Sequence, residues 1–261
     1  MATATSLDPV LTSVLGGSVM AERHGRRPAQ VLALHGWARS RADFGLVLAG
    51  FDALALDLHG FGTTPPPPRA WSTSDYADAL APLLDEFDRP VLLGHSFGAR
   101  VAVHLASTHP GKIGGMLLTG APLVPLERSA VRVAPAYRLI RRLHRTGLIS
   151  DERMEAARRR HGSSDYRAAE GVMRDVLVKS VTETQQRGYD TAFMNVGAAG
   201  VPTRLVFGEL DTAAPPVVAR AIASATGAPA PILLSGSGHL LDASLINALR
   251  QALTDLGVDK N

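Results

Sequence analysis

The sequence predicts an α/β fold in which helices cover both faces of a mostly parallel central sheet and a helical cap is inserted late in the chain. Short, continuous apolar runs such as VLAL (31–34) alternate with amphipathic stretches, which is typical of buried parallel strands joined by helices. No such run occurs between about 122 and 199. A chain of 261 residues, 46% of them hydrophobic, is long enough to bury the core of one large domain with an insertion.

The elements follow from these runs in chain order. Six apolar runs predict the parallel strands, at residues 31–36, 51–60, 90–96, 113–121, 201–210 and 230–238. The amphipathic stretches between them predict helices at 41–48, 74–87, 96–108, 215–226 and 240–256. Two short segments near 11–15 and 18–23 predict a pair of antiparallel edge strands, and HGRRPAQ (24–30) predicts the turn into the first parallel strand.

The insertion is predicted at 122–199, between the two parts of a core formed by 1–121 and 200–261. Apolar residues recur there at helical spacing, as at Val172 and Val176, which predicts several amphipathic helices. The segment also holds much of the basic charge, including the arginine run 158–160. We interpret that run as a solvated helix face, with attraction of an anionic substrate as the alternative.

Composition excludes several classes of site and partner. Without cysteine the chain has no disulfide, no thiol nucleophile and no cysteine-ligated zinc, and a net charge of only +3 does not predict nucleic-acid binding. The first residues lack a basic and an apolar signal region, and no stretch of about 18 apolar residues occurs, so we expect a cytoplasmic protein. Its expected partner is a small-molecule substrate, with no nucleic acid and no membrane, and the oligomeric state is not predicted.

One short stretch, LLGHSFGARV (92–101), carries the strongest functional signal. It places Ser96 between Gly94 and Gly98, where a predicted strand passes into a predicted helix. A serine hydroxyl attacks a carbonyl only when its oxygen stands clear of the backbone and a base takes its proton. A sharp strand-to-helix turn gives that exposure, and the close packing of strand and helix requires small residues on both sides. The pattern therefore predicts Ser96 as a nucleophile.

Four further motifs accompany this turn in a fixed order: LHGW (34–37) and DLHGFG (57–62) before it, GELD (208–211) and GSGHLL (236–241) after it. Together the five resemble the α/β-hydrolase superfamily, in its serine-nucleophile branch of cap-bearing esterases and C–C hydrolases. The resemblance spans about 25–256. It implies the α/β-hydrolase fold, an oxyanion loop at LHGW, the acid in GELD and the catalytic histidine in GSGHLL.

The base must be chosen among nine histidines. His95 is fixed on the same turn as Ser96 and its side chain leaves the backbone in a different direction, so we interpret it as filling space or bonding behind the turn. The family order of nucleophile, acid and histidine assigns the base to His239. The resemblance makes His35 a support of the oxyanion loop. The others are expected in structural or surface positions, or, for His59, at the mouth of the site: His24, His59, His104, His109, His144 and His161.

The acid is assigned by resemblance to a short G-x-x-D turn after the strand RLVF. Asp211 ends that turn, and Glu209 is the alternative. Some family members carry the acid after the preceding strand instead. Here that strand ends in LLTGAP (117–122), which has no carboxylate and so excludes that position.

The implied chemistry is that of a Ser96–His239–Asp211 triad. The backbone N–H groups of Trp37 and Phe97 would form the oxyanion hole, and their rings would serve as apolar walls against the substrate. Neither a metal nor an organic cofactor is required. Serine at the nucleophile position argues against haloalkane dehalogenases and epoxide hydrolases, which resemble this chain but use aspartate there.

The sequence favours hydrolysis of a small to medium carboxylic ester, lactone or thioester, because this demands least beyond the triad. Three alternatives stay open: cleavage of a C–C bond in a diketone-type compound, a hydroxynitrile-type lyase using the same triad, and a non-catalytic receptor built on the same fold. The substrate itself is not predicted, because the cap would decide it.

Overall fold

The computed structural model describes residues 8–126, 140, 142–144, 146–150, 152–154, 156, 160 and 164–261. Parts of the predicted insertion therefore lie outside the described residues, among them Arg158, Arg159 and His161. Among the residues that are described, no helix combines the length and the apolar character needed to cross a membrane.

Eight strands form the central sheet. They are β1 (Val10–Val14), β2 (Val19–His24), β3 (Val31–Leu34), β4 (Ala53–Leu56), β5 (Val91–His95), β6 (Gly115–Thr119), β7 (Thr203–Gly208) and β8 (Ile232–Leu234). Their order across the sheet is β1-β2-β4-β3-β5-β6-β7-β8. β2 pairs antiparallel with β1 and β4, and all other neighbours are parallel, which confirms the predicted mostly parallel sheet and its antiparallel edge pair.

Helices connect these strands. They are α1 (Gly45–Leu48), α2 (Thr73–Leu80), α3 (Phe97–Thr108), α4 (Ser164–Ala168), α5 (Gly171–Gln185), α6 (Asp190–Ala198), α7 (Pro216–Thr226) and α8 (Ala243–Asp255). Short 3₁₀ turns lie at Leu15–Gly17, Arg41–Phe44, Ala81–Glu86 and Pro110–Lys112.

Proline accounts for two differences from the predicted bounds. The helix predicted over 74–87 ends as α-helix at Leu80 and continues as a 3₁₀ turn, because Pro82 has no N–H to donate to the preceding turn. The last strand was expected over 230–238 and begins only at Ile232, since Pro231 cannot donate to a sheet ladder.

The two faces of the sheet carry separate hydrophobic layers. Alternate residues of a strand point to opposite faces, so Leu32 and Leu34 of β3 join one layer while Val31 and Ala33 join the other. Helices α2, α3, α6 and α7 bury their apolar sides in the first layer, and α1 and α8 bury theirs in the second. Both faces of the central strands are therefore buried, which explains their continuous apolar runs.

The insertion departs from this alternation. Between 122 and 199, the described residues form α4, α5 and α6 and contain no strand. α6 packs against α3 and α7 as part of the first layer. α4 and α5 instead lie over the loops that leave the carboxyl ends of the central strands, where open α/β sheets place their ligand sites.

Candidate active site

Ser96 lies on the turn between β5 and α3. Its backbone has φ 51° and ψ −108°, a conformation that a residue with a side chain rarely adopts, and its N–H donates to the carbonyl of Thr119 at 3.0 Å. Ser96 is partly exposed while its neighbours His95 and Phe97 are both buried, which agrees with the exposure expected at such a turn.

The glycines two residues away on either side are required by packing. A Cβ on Gly94 would lie 2.6 Å from the Cα of Ala99, and a Cβ on Gly98 would overlap the backbone carbonyl of Leu34. The N–H of Gly98 also donates to the carbonyl of His35 at 2.9 Å. Helix α3 thus sits directly on β5 and on the end of β3, which only glycine at these two positions permits.

His239 bridges Ser96 and Asp211. Its Nε2 lies 3.0 Å from the Oγ of Ser96, and its Nδ1 lies 2.8 Å from Oδ2 of Asp211. A carboxylate only accepts, so Nδ1 carries the proton and donates to Asp211, which leaves Nε2 free to accept the serine proton. The structure brings together the three residues assigned from the sequence as nucleophile, base and acid.

The carboxylate of Asp211 is buried, and both of its oxygens accept hydrogen bonds. Its Oδ1 accepts the backbone N–H groups of Ala213 and Ala214, each at 2.8 Å. Burial works to raise the pKa of Asp211, but the hydrogen bonds from His239 and from these two backbone groups outweigh it and hold the pKa below its ordinary value. Asp211 is therefore a carboxylate at neutral pH. The alternative acid, Glu209, is exposed two residues earlier.

The LHGW segment is held by its histidine. The Nδ1–H of His35 donates to the carbonyl of Gly36 at 2.7 Å, and its Nε2 accepts the N–H of Leu58 at 3.1 Å. Burial lowers the pKa of His35, which keeps the ring neutral as this pair of bonds requires. His35 thus joins the LHGW loop to the DLHGFG turn, the support expected of it.

Asp57 makes a second connection between the same loops, one that sequence reasoning missed. Its buried carboxylate accepts the backbone N–H groups of Arg41 at 2.9 Å and Thr63 at 2.8 Å, and it pairs with the Arg41 guanidinium. The only sequence signal for this role is its place at the start of the DLHGFG motif.

Aromatic rings line the region beside Ser96. The ring of Trp37 meets those of Phe61 at 4.9 Å and Phe97 at 5.4 Å, in edge-to-face contacts. Phe97 in turn meets Tyr76 at 5.1 Å. Trp37 and Phe97 were predicted here, whereas Phe61 and Tyr76 were not singled out. These rings make an apolar wall next to Ser96.

The insertion contacts this wall directly. Tyr166, Ala169 and Leu177 form a small buried cluster, and Trp37 packs against it. Met173, at the start of α5, lies against Gly60, where a Cβ would overlap the methionine sulfur. α4 and α5 therefore cover the loops that carry Trp37 and Phe61.

The remaining histidines lie elsewhere or outside the described chain. His24 pairs with Glu22 on β2, His104 stacks beside Tyr189, and His109 follows α3. His59 packs on Trp71 with its ring centroid 4.8 Å away. In the part of the chain that the structure describes, no group of three or more His, Asp or Glu side chains is arranged to hold a metal ion.

Comparison with known proteins gives close relatives for parts of the chain. Lipase LipV of Mycobacterium tuberculosis is 38% identical over 114 residues, which are 40% of this chain and 41% of the lipase. A 2-hydroxy-6-oxononadienedioate/2-hydroxy-6-oxononatrienedioate hydrolase of Cupriavidus pinatubonensis is 34% identical over 109 residues, 40% of this chain and 36% of that enzyme. The matches span less than half the length of these two relatives.

A solved structure extends the likeness to the whole fold. The crystal structure of a candidate lipase from Acinetobacter baumannii AYE superposes with a TM-score of 0.69 at 18% identity, covering 95% of this chain and 92% of that one. A model of the alpha/beta hydrolase family matches residues 31–245, from β3 into α8. With the sheet order, the strained serine turn and this match over most of the sequence, the chain belongs to the alpha/beta hydrolase family.

Proposed function

We propose that the protein is a serine hydrolase that cleaves a small to medium carboxylic ester, lactone or thioester through an acyl-enzyme on Ser96. The observation that carries this proposal is the unbroken chain of hydrogen bonds from Ser96 Oγ to His239 at 3.0 Å and from His239 to Asp211 at 2.8 Å. These contacts support the roles of Ser96 as nucleophile, of His239 as a base in the correct tautomer and of Asp211 as a buried carboxylate that stabilises the charged base.

Acylation follows from this geometry. The Oγ of Ser96 forms a bond to the substrate carbonyl carbon while its proton moves to Nε2 of His239. The tetrahedral intermediate then expels the alcohol, which takes that proton from His239 as the C–O bond breaks. Asp211, held ionised by its three hydrogen bonds, stabilises the imidazolium between the two steps.

The intermediate's negative oxygen needs donors that are already in place. Phe97 is the first residue of α3, and the N–H groups at a helix N-terminus have no acceptor within the helix. Trp37 follows the His35–Gly36 pair that is bonded to the neighbouring turn. We assign the oxyanion hole to the N–H groups of these two residues, and each such donor contributes a factor of about 10²–10³ in rate. Deacylation repeats the steps with water as the nucleophile.

The walls of the site support an apolar substrate. The rings of Trp37, Phe61 and Phe97 offer apolar surface to an acyl or alcohol group. The relative named lipase supports ester cleavage. A second candidate, hydrolysis of a C–C bond in a diketone-type compound, is favoured by the relative named as a hydrolase of 2-hydroxy-6-oxo acids, and it would use the same three residues.

Residues 122–199 were predicted as a cap over a core of 1–121 and 200–261, and we assign that role to α4 and the start of α5, since α6 packs in the core layer. The support for this is the packing of Tyr166, Ala169 and Leu177 against Trp37. A cap in this place would shield the acyl-enzyme from solvent and limit the size of the bound substrate.

The test is a panel of 4-nitrophenyl esters, from acetate to octanoate, with a 2-hydroxy-6-oxo dienoate as a further substrate. Ser96→Ala is expected to lose about 10³-fold or more in kcat, and a fluorophosphonate is expected to add its mass to the peptide containing Ser96 in the wild-type protein. Ser107→Ala, at the far end of the same helix, serves as the control. Labelling at another residue, or full turnover in Ser96→Ala, would refute the proposal. A higher kcat/KM for the dienoate than for every ester would favour the C–C candidate.

A further inference from the structure

His95 ends β5, directly before the nucleophile, and is 1% exposed. Its Nε2 lies 2.9 Å from the backbone carbonyl oxygen of His239. A carbonyl oxygen accepts and cannot donate, so the proton of the neutral ring is on Nε2. The side chain that stands closest to Ser96 in sequence thus contacts the backbone of the proposed base rather than the serine hydroxyl.

The surroundings of the ring are fitted to this contact. A Cβ on Gly36 would lie 3.0 Å from the Nδ1 of His95, and a Cβ on Gly120 would lie 3.3 Å from its Cδ2 and 3.1 Å from the ring of His239. Nδ1 has no hydrogen-bond partner among the described residues. Among the described residues, the ring therefore makes its hydrogen bond through Nε2–H alone. Gly36 and Gly120, on two neighbouring loops, leave the space that the ring fills.

This ring also connects three segments that must keep their relative positions. It belongs to the strand that ends in the nucleophile, it bonds the loop that carries His239, and it packs on Gly36 of the loop that carries Trp37. The loop of His239 follows β8, a strand of only three residues at the edge of the sheet. The N–H of Leu210 already bonds this loop to the turn of Asp211, through the carbonyl of Ser237 at 2.9 Å. The bond from His95 adds a restraint from the buried centre of the sheet.

We propose that His95 is a positioning residue whose ring N–H holds the backbone of His239, so that the imidazole of His239 keeps its reach to the Oγ of Ser96. The proposal rests on the function proposed above for Ser96 and His239. Loss of the bond would let the His239 loop shift, and a displacement of the order of 1 Å in a catalytic geometry costs about 10²-fold in rate.

The ring is uncharged at neutral pH while it makes this bond. Burial, with a contribution from a positively charged His239, lowers the pKa of His95 to about 4, although the hydrogen bond to the His239 carbonyl and the carboxylates of Asp43 and Asp211 oppose the shift. When His239 takes the serine proton, it therefore faces an uncharged neighbour whose ring centroid is 5.2 Å away, and not a second cation.

A matched pair of variants separates the hydrogen bond from the packing. His95→Gln keeps an N–H donor at similar reach, and His95→Met has nearly the same length and volume without a donor. With the nitrophenyl esters we expect His95→Met to lose about 10–100-fold in kcat with KM within about twofold, and His95→Gln to retain most of the wild-type kcat. Equal losses in the two variants, or equal retention, would overturn the proposal, provided that thermal unfolding shows both to be folded.

A second measurement does not depend on catalysis or on the stability of His95→Met. Proton–nitrogen correlation spectra of the imidazole rings in the wild-type protein, with the His95 signal assigned by its absence in His95→Gln, report the tautomer directly. The Nε2–H form is expected at pH 7, and the Nδ1–H form would contradict the bond. Failure of the proposed function appears separately, as turnover that survives in Ser96→Ala, and leaves the tautomer result unchanged.

Discussion

His239 Nδ1 lies 2.8 Å from Oδ2 of Asp211, whose other oxygen accepts two backbone N–H groups at 2.8 Å. The carboxylate is thus fixed by its own turn before it meets the histidine. Its side chain is fully buried, while that of His239 is 28% exposed. One partner is held by three hydrogen bonds and excluded from water, and the other is accessible from solvent.

Replacing Asp211 by asparagine keeps the shape but allows the amide to donate to His239, which favours the wrong tautomer. We expect kcat for nitrophenyl esters to fall by about 10³–10⁴-fold with little change in KM. Steady-state kinetics of Asp211→Asn measure this. Glu209→Gln is the matched control, since Glu209 lies on the same turn but is exposed, and it should behave as wild type. A larger loss in Glu209→Gln than in Asp211→Asn would assign the acid to Glu209.

The buried ring of His95 predicts a pH dependence of stability. Burial first, and then the charge of His239, lowers its pKa from 6.5 to about 4. The unfolded chain therefore takes up this proton before the folded chain does. This group does not reduce the free energy of unfolding above about pH 6.5. As the pH falls towards 4 the free energy of unfolding decreases, by about 3 kcal/mol at most.

Denaturant unfolding of the wild type and of His95→Gln at pH 7 and pH 4 measures this contribution. The wild type should lose more of its free energy of unfolding than the variant does. Other histidines whose pKa burial lowers are present in both proteins and cancel in the difference: His24, His35, His59 and His104. Equal losses in the two proteins would show that His95 is not protonated more readily on unfolding.

The nucleophile turn could be predicted from sequence because packing there admits few residue types. Gly94 and Gly98 must lack a Cβ, and the serine between them is then recognisable. The chain order of the family assigns the acid to Asp211 and the base to His239. No local sequence pattern would have paired these two residues, which are 28 positions apart. The strands could also be predicted from local sequence, because a strand that is buried on both faces appears as a continuous apolar run.

Other parts of the site were hidden in residues that look ordinary in sequence. Glu183 was not singled out from the sequence, yet its carboxylate lies 2.6 Å from the Oγ1 of Thr73, 110 residues away. Phe61 and Tyr76 were not singled out either, and the tertiary fold brings their rings beside Phe97. Contacts of this kind depend on how separate elements pack, and no periodicity reports them.

Trp37 has two proposed roles that mutation can separate, because its backbone N–H survives any change of side chain. In Trp37→Leu the oxyanion hole should remain while the wall formed with Phe61 and Phe97 is reduced. We expect KM for the butanoate and octanoate esters to rise about tenfold and kcat for the acetate to change less than about threefold. Trp71→Leu is the control for loss of an indole ring, since Trp71 packs on His59 and on Tyr76 of this wall rather than on Phe61 and Phe97. Equal changes for short and long esters would exclude the wall.

Glu183 attaches the insertion to the core. Its carboxylate accepts the N–H and hydroxyl of Thr73, at the start of α2, and the hydroxyl of Tyr189 at 3.1 Å. On the same helix, the carbonyl of Ser180 accepts a hydrogen bond from the guanidinium of the buried Arg100. The second half of α5 is therefore bound to α2 and α3 through polar groups with little access to water.

Removing the carboxylate in Glu183→Ala leaves the buried hydroxyl of Thr73 with one acceptor fewer, which costs about 1–3 kcal/mol of stability. If α5 belongs to a cap, its looser attachment should also raise KM for the nitrophenyl esters more than it lowers kcat, since the triad is untouched. Thermal unfolding and steady-state kinetics measure the two effects. Glu152→Ala, at an exposed position of the insertion, should change neither. A stability loss with unchanged KM would show that the Glu183 contact anchors the fold without shaping the site.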